Sequence, residues 1–411
     1  MAKVGTVLIL STYPIKIPLH GGQVRLHNIR RAYERGGWKV ASLAVYPEET
    51  YLKAAVAPSD LPFPANSPYR LFKGKNVPLI NDFLSGSFAT AQDGGLPAIL
   101  SKIPQQIDVI HVEQPWLWPL AMELRKRSEH AHVATIYGSQ NIEEPLKRDM
   151  LNEYKADDLE EILRAISDLE RNACLQADLA IGVTWHDCAV MRTWGAKNVA
   201  VVPNGIDGWR ASSEKLTEWR ARLPRYPWLL YVASAHLPNF TRFLEIFGGS
   251  LGCFPPTSRL VVAGGVGEHI HREIARARWA DLNLSRLQVL FSLPDEDLAA
   301  VKSLAHGFVL PIPYGGGSNI KTAEAIYSGS YVIGTRPAFR GYESFLGLPE
   351  VNVVADSASL HRTIRHVLSR ERIDTNRQNN DMSLRDTLLW ENCLAELPEL
   401  ARNLVSNTGV Q

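Results

Sequence analysis

Residues 314–335 read "YGGGSNIKTAEAIYSGSYVIGT", and this stretch predicts a glycine loop, a short helix and a strand. The preceding run, "HGFVLPIP", and the final run, "SYVIGT", are apolar without alternation, as in strands that are buried on both faces. Between them "TAEAIYS" has a helical pattern that closes at Gly329, a residue type that suits the left-handed position after a helix. The stretch therefore predicts the strand, loop, helix and strand of a parallel α/β sheet.

The loop before this helix has three glycines at positions 315–317 and then Ser318. A loop at a helix N-terminus presents free backbone N–H groups and the positive end of the helix dipole, and glycine lets an anion approach closely. We expect the loop to bind a diphosphate, with Lys321 as an added positive charge. Glu324 shares a helix face with Lys321 and could accept both hydroxyls of a ribose. The alternative is a flexible turn followed by a solvated Lys–Glu pair.

Size and composition limit the classes of protein. The 411 residues fit two domains, and the net charge of +1 argues against a dedicated nucleic-acid binder. The four cysteines are far apart and form no CxxC pair, which favours reduced thiols over a disulfide framework or a zinc cluster. The sequence contains no stretch of about 18 apolar residues, so no membrane span is predicted. We interpret the start of the chain as a first strand. We therefore expect a cytoplasmic protein.

Strands alternate with helices along the chain, from "VGTVLILS" and "WKVASLAVY" to "PWLLYVAS" and "RLVVAGG". This alternation predicts an α/β fold with two doubly wound, Rossmann-like parallel sheets that face each other across a cleft. We expect an acceptor-side domain at 1–208, a linker at 209–226 and a donor domain at 227–375. The segment 376–411 is predicted to be helical and to pack back on the first domain. Ligands are expected at the carboxyl ends of the strands.

The first strand leads into "STYPIKIPLHGGQVR", a loop too long for the dinucleotide-binding fingerprint. A nicotinamide-dependent enzyme is therefore disfavoured. Gly21 and Gly22 still precede a helix, with Arg25 beside them, so a second backbone site for an anion is one interpretation. A plain turn into the helix is the other.

The segment "DVIHVEQPWLWP" places Glu113 and Gln114 at the end of a predicted strand, where site residues of parallel sheets collect. His111, within the strand, is interpreted as a packed histidine. Glu113 is the better candidate to contact a hydroxyl. Trp116 and Trp118 could line a sugar or lipid site, or could belong to the core.

Two further segments carry polar residues with more than one interpretation. "YGSQNIEE" places Asn141 and Glu143 after a strand, either as site residues or as the start of a long helix. "EHIHRE" holds His269 and His271 two residues apart, a spacing that does not face both rings to one side of a helix. No metal site is predicted.

Taken together, these segments resemble the nucleotide-sugar glycosyltransferases of the GT-B fold, in particular their retaining family four, which builds bacterial polysaccharides. The resemblance covers most of the chain and includes "GGQVRLHNIRRAYERGGWKV", "DVIHVEQP", "SQNIEE", "ERNACLQADLAIGVTWHDCAVMRTWGAKNVAVVPNGID" and "VLFSLPDEDLAAVKSLAHGFVLPIPYGGGSNIKTAEAIYSGSYVIGT". In that family the C-terminal domain binds the donor and the N-terminal domain presents the acceptor.

The resemblance implies roles for single residues. Glu324 matches the carboxylate that binds the donor ribose, and Gly22 matches a glycine that faces the transferred sugar. Ser292 and Leu293 lie in the segment that cradles the base. The loop around the diphosphate and sugar is matched by Gly316, Gly317, Ser318 and Asn319.

Three positions depart from the family pattern. Gly316 stands where the family often has a second glutamate, eight residues before the match to Glu324. "ASAHLPNFTR" stands where many members have an Arg and Lys pair, so Lys321 and Arg242 would neutralise the phosphates. Glu113 stands where some members have a histidine.

The sequence thus predicts a metal-independent glycosyltransferase that moves a hexosyl or deoxyhexosyl group from a nucleoside diphosphate sugar to a hydroxyl acceptor, with retention. The sugar nucleotide is a co-substrate, and no cofactor is expected. Lys321 would stabilise the leaving diphosphate, and Glu113 is the candidate base if the enzyme inverts. Acceptor-side candidates are Gly21, Arg25, Gln114, Trp116 and Asn141.

The acceptor is expected to be a glycan or a lipid-linked glycan. A lipid-linked acceptor would be reached at the inner membrane face through the basic helix that carries Arg25, Arg30, Arg31 and Arg35, although a solvated helix face explains the same pattern. Two other classes remain open: a GT-B-fold sugar-nucleotide epimerase, and a non-catalytic partner that binds nucleotide sugar or scaffolds an assembly. The base, the sugar, the linkage and the oligomeric state do not follow from the sequence.

Overall fold

The computed structural model describes residues 5–152, 158–235, 237–374 and 382–408. The chain divides into two compact units. The first contains Met1–Asn204 together with Trp390–Gln411, and the second is Gly205–Leu389. None of the described helices is both long enough and apolar enough to span a membrane.

The first unit consists of one sheet with helices on its two faces. Its strands are β1 (Thr6–Ser11), β2 (Lys39–Pro47), β3 (Leu61–Phe63), β4 (Val109–Glu113), β5 (Ala134–Ser139), β6 (Leu179–Gly182) and β7 (Val199–Val201). Its first helices are α1 (Gly21–Arg35), α2 (Asn81–Thr90), α3 (Leu96–Leu100), α4 (Trp118–Arg125), α5 (Glu143–Asn152), α6 (Leu159–Gln176) and α7 (Trp185–Thr193). The order in the sheet is β3-β2-β1-β4-β5-β6-β7, and every pairing is parallel.

The second unit repeats this scheme. Its helices are α8 (Ser213–Arg222), α9 (Leu237–Phe247), α10 (Val266–Arg276), α11 (Ala280–Leu284), α12 (Asp295–Leu304), α13 (Ile320–Tyr327), α14 (Ser357–Ser369) and α15 (Met382–Asp386). Its strands are β8 (Trp228–Val232), β9 (Arg259–Ala263), β10 (Leu287–Phe291), β11 (Gly307–Leu310), β12 (Tyr331–Thr335) and β13 (Val351–Val354). The order is β10-β9-β8-β11-β12-β13, again with every pairing parallel.

The chain ends with α16 (Trp390–Cys393) and α17 (Leu397–Thr408), which belong to the first unit. Trp390, Leu394, Leu397 and Ala401 are buried in the same apolar cluster as Val7 and Ile9 of β1. The C-terminal segment therefore completes one face of the first core.

Central strands are buried along almost their whole lengths because helices cover both faces of each sheet. In β1 all residues from Val7 to Ser11 are buried, and β11 and β12 are buried along their whole lengths. The two predicted Rossmann-like sheets are confirmed. In each sheet the strand order reverses beside the first strand, between β1 and β4 in one unit and between β8 and β11 in the other. Ligands of doubly wound sheets bind at the carboxyl ends of the strands at such a point.

Some predicted boundaries differ from the structure. The expected linker at 209–226 contains α8, whose Trp219 is buried in the core of the second unit and donates to Asp297 at 2.9 Å, so this segment is part of that unit. The expected C-terminal segment from 376 divides after Leu389, and part of it lies outside the described residues. The short strands β3 and β13 were not predicted.

Candidate functional site

The predicted glycine loop lies where the strand order of the second unit reverses. The loop follows β11, and α9 follows β8, the strand next to it in the sheet. Lys321 lies in the first turn of α13, and its Nζ donates to Oδ1 of Asn239 in α9 at 2.6 Å. Asn239 is fixed in turn, because its Nδ2 donates to the Ser234 carbonyl at 3.1 Å and its carbonyl accepts from the Tyr231 hydroxyl at 2.9 Å. The lysine is thus held by groups that follow β8.

Two cations meet at this place. Burial and the nearby Arg242 lower the pKa of Lys321, and Glu324 partly opposes them, which leaves the pKa at about 8. The guanidinium carbon of Arg242 lies 4.8 Å from the centre of the Tyr314 ring, and its Nε is buried without a hydrogen-bond partner among the described residues. A Cβ added to Gly315 would lie 3.4 Å from Nη2 of Arg242. The arrangement of two crowded cations against a glycine loop favours an anion.

The glycine loop has the backbone freedom that an anion site needs. Gly315 and Gly317 have φ of 143° and 61°, a region that side chains rarely adopt. Within the described part of the chain, the N–H groups of Gly316 and Gly317 donate to no protein acceptor. Asn319 begins α13 without a side-chain cap, so the helix end is also open to a ligand.

One turn further along α13, Glu324 is held by a residue that the sequence did not suggest. Nζ of Lys302 in α12 lies 2.6 Å from Oε1 of Glu324. The Lys302 side chain is 7% exposed and that of Glu324 is 25% exposed, so the carboxylate reaches solvent whereas the ammonium does not. Lys302 also lies 4.6 Å from the centre of the Trp209 ring.

The loops after β9 and β10 form the neighbouring part of this edge. Gly264 has a φ of 99°, and a Cβ there would lie 2.2 Å from the Ala233 carbonyl oxygen. Its N–H donates to the Phe291 carbonyl, and Phe291 itself has a φ of 54° with an exposed ring. Leu293 follows as a half-buried residue that packs against the core of the second unit. The loops after β8, β9 and β10 are therefore closely packed at this edge of the sheet.

A buried polar network occupies the corresponding edge of the first unit. At the end of β4, Glu113 is 1% exposed and accepts from Nε of Arg25 at 3.3 Å and from Nε2 of Gln140 at 2.9 Å. Nε2 of His111 lies 3.3 Å from Oε1, the other carboxylate oxygen of Glu113. Burial alone would raise the pKa of Glu113, but the attraction of Arg25 and the hydrogen bond with His111 lower it to about 2. Such a carboxylate is a poor proton acceptor at neutral pH, so the structure argues against Glu113 as a general base.

Arg25 does not belong to an exposed basic surface. Its side chain is buried, and Nη1 donates to the carbonyls of Val202 and Pro203 and to Oδ1 of Asn204, at 3.0 to 3.3 Å. The predicted basic face of α1 therefore loses Arg25 and retains Arg30, Arg31 and Arg35. Arg25 is instead an anchor between α1, Glu113 and the end of β7, because it points into the unit.

Gly22 lies in the first turn of α1, against the same network. A Cβ at this position would lie 3.0 Å from Oε1 of Gln140 and 3.0 Å from the Tyr13 hydroxyl. Gln140 also donates to the Tyr13 hydroxyl. Gly21, which begins α1, is exposed. The first turn of α1 is open on one side and closely packed on the other.

The other acceptor-side candidates lie in different environments in the structure. Gln114 has a φ of 62°, and its Nε2 donates to Oε1 of the buried Glu143 at 3.1 Å. Asn141 is half-buried, and its carbonyl accepts from Ser139. Trp116 and Trp118 are core residues with 0% and 2% exposure, so Trp116 does not line a ligand site as predicted. Its ring contacts Phe83 edge to face.

Several site residues were not predicted. Asn239, Lys302, Gln140 and Tyr13 make the contacts that hold the candidate residues in place. Each is distant in sequence from its partner, and Lys302 and Glu324 are 22 positions apart on different helices. Only the spacing of Asn239 and Arg242, which share one face of α9, gives a signal in the sequence. No group of three or more His, Cys, Asp or Glu side chains among the described residues could hold a metal ion.

Comparison with known proteins identifies the fold that carries these residues. Residues 19–210 match the family model described as Glycosyltransferase Family 4. The chain is family-4-like and has the GT-B glycosyltransferase fold. No curated protein matches its sequence significantly.

Solved structures match over nearly the whole chain. Sucrose-phosphate synthase from Thermosynechococcus elongatus has a TM-score of 0.71 at 16% identity, covering 98% of this chain and 100% of that one. Anabaena HepE in complex with UDP and glucose has a TM-score of 0.64 at 17% identity, covering 97% and 99%. WaaG, a glycosyltransferase involved in lipopolysaccharide biosynthesis, has a TM-score of 0.59 at 14% identity, covering 97% and 99%. At these identities the matches show the fold.

Proposed function

We propose that this family-4-like protein transfers a sugar from a nucleoside diphosphate sugar to a hydroxyl acceptor, with retention of configuration. The observation that carries the proposal is the cluster at the strand reversal of the second unit. There the N–H groups of Gly316 and Gly317, which donate to no acceptor among the described residues, lie in the loop that Arg242 approaches, just before Lys321. Amides and cations that converge in this way suit a diphosphate.

The second unit provides the groups for the rest of the donor. Glu324 is one turn beyond Lys321 and partly exposed, which suits an acceptor for the ribose hydroxyls. The edge formed by Ser292 and Leu293 is assigned to the base. Ser318 and Asn319, at the start of α13, are assigned to the diphosphate and the sugar. HepE has been crystallised with UDP and with UDP-glucose, which supports a nucleotide sugar as the donor class.

The reaction needs stabilisation of the leaving diphosphate. The bond between the anomeric carbon and the diphosphate oxygen breaks, and a bond from the acceptor oxygen to that carbon forms on the same face. The acceptor proton passes to the departing phosphate oxygen. Lys321, Arg242 and the loop amides stabilise the charge that develops on the diphosphate, because they are already in position before the reaction. No side-chain base is assigned, which accords with the low pKa of Glu113.

The first unit is assigned to the acceptor. Gly22, with its close packing on Tyr13 and Gln140, is assigned to the face of the transferred sugar. Gly21, Gln114 and Asn141 remain the candidates for acceptor contacts. The acceptor is proposed to be a glycan or a lipid-linked glycan, and the involvement of WaaG in lipopolysaccharide biosynthesis supports this class. Independence from metal ions is part of the proposal, since the leaving-group charge is assigned to protein groups.

The proposal is tested by thermal shift with UDP, ADP and GDP on the wild type and on Glu324→Ala. A diphosphate at 100 times its Kd should add about 2.7 kcal/mol to the free energy of unfolding, and the variant should lose most of this gain. Glu296→Ala is the matched control, because Glu296 is an exposed carboxylate in the first turn of α12. If no diphosphate stabilises the wild type at millimolar concentration, the glycine loop has a structural role and the proposal fails.

Donor turnover then separates the remaining classes. Incubation of the protein with the common sugar derivatives of the stabilising nucleoside diphosphate should release that diphosphate only when a hydroxyl acceptor is present. An epimerised sugar nucleotide formed without acceptor would instead show an epimerase. Binding without turnover over a broad acceptor panel would indicate a non-catalytic nucleotide-sugar-binding protein, for which Gly316 in place of a glutamate is the supporting observation.

A further inference from the structure

The carboxylate of Glu324 is not free to rotate between its neighbours. Its Oε1 accepts from Nζ of Lys302 at 2.6 Å, whereas Oε2 makes no hydrogen bond within the described part of the chain. Lys302 is near the end of α12, and Glu324 is in the middle of α13. The ion pair therefore fixes which oxygen faces the protein and which remains available.

Lys302 is held from a second side. Its Nζ lies 4.6 Å from the centre of the Trp209 ring, a cation–π distance, and the Trp209 ring lies 4.8 Å from that of Tyr327 at the end of α13. With its side chain only 7% exposed, Lys302 has little solvent to compensate its charge. The ammonium depends on the indole face and the carboxylate, so its position is determined by both.

We propose that Lys302 is a positioning residue for Glu324, which it holds oriented so that Oε2 accepts from the donor ribose. The inference rests on the proposed function, because it takes Glu324 to be the ribose ligand. A side chain that is already fixed before binding loses less conformational entropy when the ligand arrives.

A purely structural ion pair is the competing explanation. Loss of Lys302 would then leave the partly exposed Glu324 without its counter-charge and loosen the contact between α12 and α13. That effect would weaken the binding of every nucleotide equally. If Lys302 positions Glu324, the loss of binding affinity depends on the ribose hydroxyls. The two explanations therefore predict different outcomes.

The test is calorimetric titration of UDP and 2′,3′-dideoxy-UDP, with the ADP and GDP pairs in parallel, into wild type, Lys302→Met, Lys302→Arg and Glu324→Gln. Removal of Lys302 should weaken binding of the ribonucleotide about tenfold, the size of one hydrogen bond to a charged group. It should leave binding of the dideoxy form unchanged. Lys302→Arg should restore most of the affinity, since a guanidinium supplies the same charge.

Lys215→Met is the matched control, because Lys215 is paired with Asp297 at the other end of α12, at 2.7 Å. Equal weakening of the ribo and dideoxy forms, or no weakening of either, overturns the inference. If the wild type binds a diphosphate but Glu324→Gln and Lys302→Met retain ribose discrimination, the inference fails while the donor site stands. If the wild type binds none of the three diphosphates, the proposed function fails and the inference falls with it.

Discussion

Lys321 and Asn239 are joined by a hydrogen bond of 2.6 Å, although they lie 82 residues apart in the chain. The bond connects the helices that follow β11 and β8, the two adjacent strands at the reversal of the second sheet. It keeps the ammonium beside Arg242 even though burial and the neighbouring Arg242 disfavour the charge of Lys321. A cation pair held in this way is ready for an anion, and several consequences can be measured.

The affinity for a nucleoside diphosphate should depend on the protonation of Lys321. Because the pKa of Lys321 is about 8 in the free protein, binding should weaken as the pH rises from 7.5 to 9.5. The diphosphate itself is fully ionised over this range, since its second pKa is about 6. Calorimetric titration of UDP across this range measures the effect. Lys321→Arg should bind with little dependence on pH, and an equally steep dependence in that variant would contradict the assignment.

The pair of Arg25 and Glu113 should be a structural element of the first unit. Replacing Glu113 by Gln leaves the buried guanidinium without its counter-charge, which should cost roughly 3–5 kcal/mol of unfolding free energy. Urea denaturation followed by circular dichroism measures the change. The double variant Arg25→Met with Glu113→Met should recover a large part of the loss. A double variant no more stable than Glu113→Gln would show that the hydrogen bonds of Arg25 to the end of β7 dominate.

The same carboxylate predicts a response to acid. Its pKa is about 2 when folded, below its ordinary value of 4.5, so the unfolded state takes up the proton first. The stability that Glu113 provides is therefore fully present above the ordinary carboxyl pKa and is lost as the pH falls from 4.5 toward 2. Urea midpoints of the wild type should fall over this window more steeply than those of the double Met variant. Parallel curves would contradict the low pKa.

A second carboxylate cluster should respond in the opposite direction. Burial and the neighbouring Glu143 raise the pKa of Glu170, which accepts from the Tyr137 hydroxyl at 2.9 Å and from the Glu143 N–H at 2.9 Å. The folded state thus holds the proton more tightly than the unfolded state. This contribution is fully present below the ordinary carboxyl pKa and is lost as the pH rises.

Replacing Glu170 by Gln, which imitates the protonated acid, should therefore raise the melting temperature at pH 8 and have little effect at pH 5. The gain at pH 8 should be on the order of 2 kcal/mol. Glu296→Gln is the control for loss of a carboxylate at an exposed position. A variant less stable than the wild type at both pH values would mean that Glu170 is needed in its charged form.

Gly264 should tolerate no side chain. A Cβ there would lie 2.2 Å from the Ala233 carbonyl oxygen, and its φ of 99° strains any other residue. Gly264→Ala should destabilise the second unit by about 3 kcal/mol or more. Gly249→Ala is the matched control, because its nearest contact would be an ordinary 3.5 Å to Ala277. Equal urea midpoints for the two variants would contradict the close packing of the loops after β8 and β9.

The sequence predicted most of the fold because the central strands are continuous apolar runs, as in β11 and β12. It failed at β3 (LPF) and β13 (VNVV), where a proline or an asparagine interrupts an apolar segment of only three or four residues. The segment 209–226 is polar enough to predict a linker, yet its buried Trp219 anchors α8 to the core. One buried aromatic outweighed the composition of the segment around it.

The candidate site was predictable where its residues are close in sequence. The glycine loop, Lys321 and Glu324 lie within one short stretch, so helix geometry places them together. The partners that fix them, Asn239 and Lys302, come from other helices, and only the spacing of Asn239 and Arg242 on α9 gives a local signal. Arg25 shows the same limit. It is a basic residue on an amphipathic helix, and nothing in the sequence indicates that it points inward to Glu113.

The return of the chain to its first unit at Trp390 has a consequence for biosynthesis. A ribosome completes Met1–Asn204 and then all of Gly205–Leu389 before it makes α16 and α17, whose Trp390, Leu394 and Leu397 fill one face of the first core. Until then the nascent first unit exposes apolar surface on that face, a state that favours aggregation or chaperone binding. A chain released at Leu389 should bind hydrophobic dyes and be cut by proteases in its first unit. The unit that is translated first is therefore the last to finish folding.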